Sequence, residues 1–166
     1  AGAAGDAAAG RGRQVIRVLV CDDHQIVRQG IKQILADAPD IALAGEAASA
    51  PEAVALVRAG GIDVVLLDIA MPQRDGLDAL KQLRAEFPKL PVLMLSTYPD
   101  RQYAVRSLKL GAAGYLNKSA DSEQMIEAIR RVAGGRLFVT PSVAELLAGA
   151  VGGHAEVPLH LSLIHI

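Results

Sequence analysis

The chain is 166 residues long, 51% hydrophobic and 21% charged, with a formal net charge of −1, which is room for one domain with a real core and a short appendage. The near-neutral balance argues against a large nucleic-acid footprint, and a single cysteine, Cys21, excludes an intrachain disulfide or a zinc cluster and suits a reducing cytoplasm. No apolar run reaches the roughly 18–20 residues of a membrane span, and no signal-peptide h-region opens the chain.

Residues 1–13, AGAAGDAAAGRGR, are Ala/Gly-rich and lack an initiator Met; they are expected to be a disordered lead-in. "GRGRQV" is no dinucleotide fingerprint, because its glycines precede the strand instead of following it. From Val15 the pattern alternates strand and helix five times. Val15–Cys21 is a β-branched apolar run, followed by a helical stripe of Ile26, Val27, Gly30, Ile31 and Ile34. Ile41–Ala47 is a weaker strand, and Ala53, Val54 and Val57 mark the second helix. Asp63–Leu67 is the third strand, with Leu77, Leu80, Leu83 and Phe87 on the helix after it. Pro91–Leu95 and a helix near Asp100–Leu110 come next. Ala113–Asn117 is a short fifth strand, and Met125, Ile126, Ile129 and Val132 mark the fifth helix. Asp121 and Gln124 read as that helix's capping box, and Gly134-Gly135 ends it.

Strict βα alternation predicts an α/β fold: a doubly wound parallel sheet with helices on both faces. Strands one, three and four are continuously apolar, as central parallel strands are. Strand two alternates with Ala and Gly, and strand five is short and contains Asn117, so both belong at the edges. With right-handed crossovers the compatible order is 2-1-3-4-5, the flavodoxin-like winding.

In that winding ligands sit beyond the carboxyl ends of the strands. Strand one ends in Asp22-Asp23, strand three in Asp68, strand four in Ser96-Thr97 and strand five in Lys118. Taken singly each is bland: Asp68 could mark a turn, the Asp pair a helix N-cap, Lys118 a solvated charge. Together they place three carboxylates, a hydroxyl and an ammonium on one sheet edge. Such carboxylates repel unless a cation joins them, and Mg²⁺ suits an all-oxygen site that must also hold phosphate. Asp68, alone on a central strand with a turn beside it, is the expected nucleophile for a phosphoryl group. The metal and Lys118 would neutralise charge in the transition state, and Ser96 would bond a phosphoryl oxygen. His24 reads more simply as an exposed helix-start residue than as a ligand.

The segments "VLVCDDHQIVRQGI", "VVLLDIAMPQRDGLDAL", "PVLMLSTY" and "GAAGYLNKSA" resemble a bacterial response-regulator receiver domain, most of all the NarL/FixJ (LuxR-type) transcription regulators, over residues 14–134. The resemblance implies that Asp68 is the phosphoacceptor and Asp23 a direct Mg²⁺ ligand. Asp22 would hold the metal largely through water, and the backbone carbonyl of Ala70 would complete the protein ligands. It further implies Ser96 as the switch hydroxyl, Lys118 as the partnering lysine, Tyr115 as the switch aromatic, and Met71-Pro72 and Gly76 as the turn after the acceptor. The donor would be the phosphohistidine of a sensor histidine kinase, and the protein cytoplasmic, with homodimerisation through the fourth helix, fifth strand and fifth helix. Ala70 and Tyr98 flank the line of water attack and carry no acid or amide, so a phosphorylated state lasting minutes is expected. Two residues depart from the family pattern. Ser119 stands where many receivers have Pro, leaving that loop's geometry open, and Asn117 replaces an apolar residue.

Residues 135–160 read as an interdomain linker with a short helix from about Pro141 to Ala150. The DNA-binding domain expected of this type, through which DNA would be contacted, is missing. "LSLIHI", residues 161–166, matches the translation of a transposase mosaic end and is expected to be a sequencing-adapter artefact. Two other readings compete. One is a Mg-dependent phosphohydrolase of the haloacid dehalogenase type, although Ile69-Ala70 puts no second acid after Asp68. The other is a stand-alone receiver acting through protein contacts.

Overall fold

The computed structural model describes residues 15–69, 76–96 and 101–152. Five strands, β1 (Ile16–Cys21), β2 (Ile41–Ala47), β3 (Val64–Asp68), β4 (Val92–Ser96) and β5 (Gly114–Asn117), form one sheet of order β2-β1-β3-β4-β5. Every pairing is parallel. The intervening helices are α1 (Gln25–Ala36), α2 (Ala50–Ala59), α3 (Gly76–Glu86), α4 (Arg101–Lys109) and α5 (Ser122–Ala133). A further helix, α6, spans Pro141–Gly152.

The alternation of side chains along each strand splits the core in two. Val18, Val20, Val64, Leu66, Leu93, Leu95 and Leu116 meet Ile31 and Leu35 of α1 and Met125, Ile129 and Val132 of α5. Leu19, Cys21, Val65, Leu67, Val92 and Met94 face the other way, into α2, α3 and α4. All five residues of β3 and all five of β4 are buried, as the continuous apolar runs required. Each fully buried Leu or Val contributes about 1.5–3 kcal/mol, so the two central strands anchor whatever stands at their carboxyl ends.

Local signals set the helix ends. The Asp121 carboxylate accepts the Gln124 N–H at 2.8 Å, and Ser49 caps α2 by accepting the Glu52 N–H at 3.4 Å. Gly135, at φ +84°, takes the left-handed turn after α5 that a side chain would resist.

Asp68 ends the third strand as the sequence led one to expect. It pairs with Leu95 and stands inside the hydrogen-bond ladder, which the Ile69 N–H extends to the Leu95 carbonyl at 2.9 Å. One feature differs from the sequence expectation: the packed structure continues past residue 134. Phe138 bridges to Gly114 along the outer edge of β5, its N–H donating to the Ala113 carbonyl at 2.9 Å. Val143 and Leu147 of α6 are buried in the same apolar cluster as Ala104 and Leu108 of α4. An unpaired edge and an apolar helix face are both costly to leave open, and this segment covers them.

Candidate functional site

β1 delivers Asp22 to the carboxyl edge of the sheet. Its N–H donates to the Ala47 carbonyl of β2 at 3.0 Å. Oδ1 accepts the His24 N–H at 2.8 Å, its main-chain carbonyl accepts from Arg28 Nη1 at 2.6 Å, and Oδ2 lies 2.7 Å from Lys118 Nζ. Asp68, on the neighbouring strand, lies 3.1 Å from the same ammonium through Oδ1. The side chains of Asp22 and Asp68 are 0% and 1% exposed and that of Lys118 12%. Burial opposes the charge on Lys118, but the hydrogen bonds and charges of Asp22 and Asp68 outweigh it and hold the ammonium's pKa above the ordinary lysine value.

Asp23 completes the acidic group. One ligand atom from each of Asp22, Asp23, His24 and Asp68 falls within a sphere where all lie within 4.8 Å of one another. Asp23 Oδ1 is buried without a hydrogen bond; His24 Nδ1 is 3.0 Å away, outside hydrogen-bonding geometry. His24 is the N-cap residue of α1 but its ring makes no cap bond, and it is 64% exposed. The cluster also reaches its neighbour Cys21, whose thiol is pushed up to about 12 by burial first and then by the charges of Asp22 and Asp68.

Ser96, buried, ends β4, and its carbonyl accepts the Lys118 N–H at 2.7 Å. The turn that carries Lys118 contains no cis peptide bond. Instead Asn117 Oδ1 accepts both the N–H and the hydroxyl of Ser119, at 2.8 and 2.7 Å. The two residues that depart from the family pattern therefore build the turn together. Gly76 opens α3 and donates its N–H to the Ile69 carbonyl at 3.0 Å. A Cβ there would collide with the Asp68 carbonyl and with Ile69 Cα at 2.6 Å, so only glycine lets the helix start this close to the acceptor strand. Tyr115, on β5, is buried.

The structure thus brings Asp22, Asp23, Asp68 and Lys118 together, with Ser96 at the adjoining strand end. Ala70, Met71-Pro72, Thr97 and Tyr98 lie outside the described residues. Arg28 and Glu46 escaped the sequence reading. Arg28 Nε lies 3.2 Å from Glu46 Oε1, and Lys32 Nζ lies 2.7 Å from Glu46 Oε2. The available signal was Glu46 itself, a carboxylate within a strand of otherwise apolar residues.

The response regulator receiver domain family matches residues 18–130. The chain belongs to that family. Among relatives of this receiver, the transcriptional regulatory protein DegU of Brevibacillus brevis is 39% identical over 132 residues, covering 80% of this chain and 56% of the relative. The response regulator GacA of Pseudomonas aeruginosa strain PAO1 is 37% identical over 134 residues, 81% of this chain and 63% of the relative. The chain thus spans roughly three-fifths of the length of these relatives. Among solved structures, a LuxR-family two-component response regulator from Aurantimonas sp. SI85-9A1 superposes with a TM-score of 0.75 at 30% identity, over 82% of this chain and 98% of that one. The signal receiver domain of the NarL response regulator of Mycobacterium tuberculosis gives 0.68 at 32% identity, over 74% and 99%. The NarL/LuxR type that the motifs resemble is the type these relatives represent, and the flavodoxin-like winding is theirs too.

Proposed function

We propose that this receiver takes a phosphoryl group onto Asp68 with Mg²⁺ and thereby switches a transcription-regulating output. The observation that carries the reading is the buried Asp68 carboxylate held 3.1 Å from Lys118 Nζ beside two further acids. Three carboxylates against one ammonium leave two negative charges in excess, which one divalent cation balances. The donors are carboxylate oxygens, the set a hard cation such as Mg²⁺ takes, and the buried, hydrogen-bond-free Asp23 Oδ1 is suited to a cation. Asp23 and Asp68 would hold it directly, Asp22 largely through water, and the Ala70 carbonyl would complete the set. Bound there, the metal supplies charge neutralisation to the phosphoryl oxygens.

The chain's own residues do the rest. An Asp68 oxygen attacks phosphorus as the bond to the donor, the imidazole of a sensor kinase's phosphohistidine, breaks in line with it. Lys118 moves from carboxylate to phosphoryl oxygen as charge shifts outward, and Ser96 donates its hydroxyl to a second oxygen. That pull on β4 reaches Tyr115, which sits inward in this structure, and so the α4–β5–α5 surface that a second copy would recognise. The protein acts as a cytoplasmic switch with DNA contacted only through a separate output domain. It catalyses only its own phosphorylation and dephosphorylation.

Acetyl phosphate with Mg²⁺ should add one base-labile phosphoryl group by intact mass, and Asp68→Asn should abolish the addition. Normal labelling of that variant would overturn the assignment. Sustained turnover of p-nitrophenyl phosphate would favour the phosphohydrolase reading instead.

A further inference from the structure

Asp22 and Asp23 share one peptide unit, with the Asp22 carbonyl on one side of the plane's C–N bond and the Asp23 N–H on the other. Because that unit is rigid and planar, whatever fixes the carbonyl also fixes the direction in which Asp23 leaves β1. Arg28 does this. Its Nη1 donates to the Asp22 carbonyl at 2.6 Å, a short charge-assisted bond. Its Nε faces Glu46 Oε1 at 3.2 Å, and Lys32 holds the other Glu46 oxygen at 2.7 Å. Glu46 is itself pinned in β2, opposite Val20 of β1. The Arg28 side chain is only 17% exposed, and its guanidinium bonds none of the site's carboxylate oxygens. Its planar fork bonds two differently placed oxygens at once, which a lysine ammonium on a flexible stem would not reproduce.

We propose that Arg28, braced by Glu46, is a positioning residue that sets the Asp22–Asp23 peptide plane and so aims the Asp23 carboxylate into the cation site. The inference rests on the metal reading above. It has a consequence of opposite sign to simple electrostatics. Arg28's charge reaches this end of β1, where it acts to lower the Cys21 pKa. A positive charge here repels a divalent cation, so on charge alone its removal should tighten Mg²⁺ binding. If Arg28 positions Asp23, removal weakens binding, by about 10-fold or more, the range typical when a group that orients a metal ligand is lost.

The test is a MgCl₂ titration of the metal-free protein by calorimetry and by ¹H–¹⁵N NMR, for wild type, Arg28→Gln, Arg28→Lys and Lys32→Gln. Positioning predicts weaker Mg²⁺ binding in both Arg28 variants, although Lys keeps the charge. It also predicts a displaced Asp23 amide resonance before any metal is added. Lys32→Gln, which loosens Glu46 but leaves the Arg28 bond to Asp22 in place, should weaken Mg²⁺ binding less than either Arg28 variant. Melting in EDTA shows which variants are folded, and the Lys variant keeps the test alive should Gln not fold. Unchanged or tighter binding in the Arg28 variants, with the Asp23 amide unmoved, overturns the proposal while leaving the site intact. A wild type that binds no Mg²⁺ at these residues overturns the site reading as well.

Discussion

Asp22 and Lys118 finish 2.7 Å apart, yet the chain holds them there in opposite ways. Beyond the His24 N–H two residues on, Asp22 depends on other elements: the Ala47 carbonyl in β2 and an arginine on α1 that is itself braced by β2. Lys118 depends on its immediate neighbours, Asn117 and Ser119, whose side chains close the turn on either side of it, plus one bond to the adjoining strand end at Ser96. The acid end is therefore as stable as the sheet and α1, whereas the lysine end can be re-aimed by a local change. That suits a group that must swing from carboxylate to phosphoryl oxygen while the metal-holding acids stay still.

The largest effect should come from removing the residue where the two ends meet. Lys118→Met leaves Asp22 and Asp68 buried side by side with no cation, and breaking a buried ion pair this way typically costs about 3–5 kcal/mol. Urea melts in EDTA should show that loss, and millimolar Mg²⁺ should recover much of it because the metal replaces the missing charge. The lysine's pKa is raised in the fold, so its contribution is fully present below the unfolded value near 10.5 and fades only as pH rises through the higher folded one. Equal stability of variant and wild type at pH 7 in EDTA would show that the two ends are not coupled through this ammonium.

Gly76 sharpens the comparison from between the two ends. A Cβ at this position meets main-chain atoms of Asp68 and Ile69, which have no rotamer to yield. Gly76→Ala should cost about 1–3 kcal/mol, the usual range for overpacking, and should slow phosphorylation by acetyl phosphate. A variant with wild-type melting and labelling would mean that α3 shifts away without disturbing the acceptor strand.

What the sequence revealed follows the same division. The order of the sheet was legible because continuous apolar runs mark β3 and β4 as doubly covered, and Ala/Gly alternation and a polar Asn117 mark the edges. The acids and the lysine were legible because a strand's end is visible in the pattern and the winding says where the ends converge. The turn at Lys118 was half legible: Asn117 and Ser119 stood out as departures, but their mutual bonds needed coordinates. Arg28 was not legible at all. Its role depends on a helix crossing back over its own preceding strand and on a carboxylate in another strand, and no local spacing encodes that. The cover over the β5 edge was hidden for a related reason. Leu137, Phe138 and Val139 read as a linker until Gly114, too small to obstruct the Phe138 carbonyl, is placed beside them.

Asn117→Ala tests the local half directly. It removes the acceptor of two bonds to Ser119, a change worth about 1 kcal/mol at a half-exposed site. Lys118 should become less well placed, with phosphorylation slowed by more than the small stability loss explains. Asn117→Asp keeps the acceptor oxygen and should restore both the melt and the rate. A rate unaffected by Asn117→Ala would assign the lysine's placement to Ser96 and the carboxylates alone.

The smallest effect should come from a contact that is long in sequence but shallow in space. Arg130 on α5 grips Asp40 through two bonds of 2.9 Å across ninety residues, yet the two side chains are 46% and 36% exposed. If sequence separation gave the acid end its firmness, this bridge should matter as much as Arg28 does. If burial gave it, the bridge should contribute only a few tenths of a kcal/mol, as solvent-exposed pairs do. The arginine's hydrogen bond, against a smaller opposing effect of burial, lowers the Asp40 pKa below its ordinary 3.8. The bridge's contribution is therefore present above that unfolded value and lost as pH falls through the lower folded one. Thermal melts of Asp40→Asn should trail wild type slightly and evenly from about pH 5 to 8, with the gap closing below about pH 4 and shrinking in high salt. A gap at pH 7 as large as that for Lys118→Met would mean that reach along the chain, and not burial, sets how firmly this fold holds its charged groups.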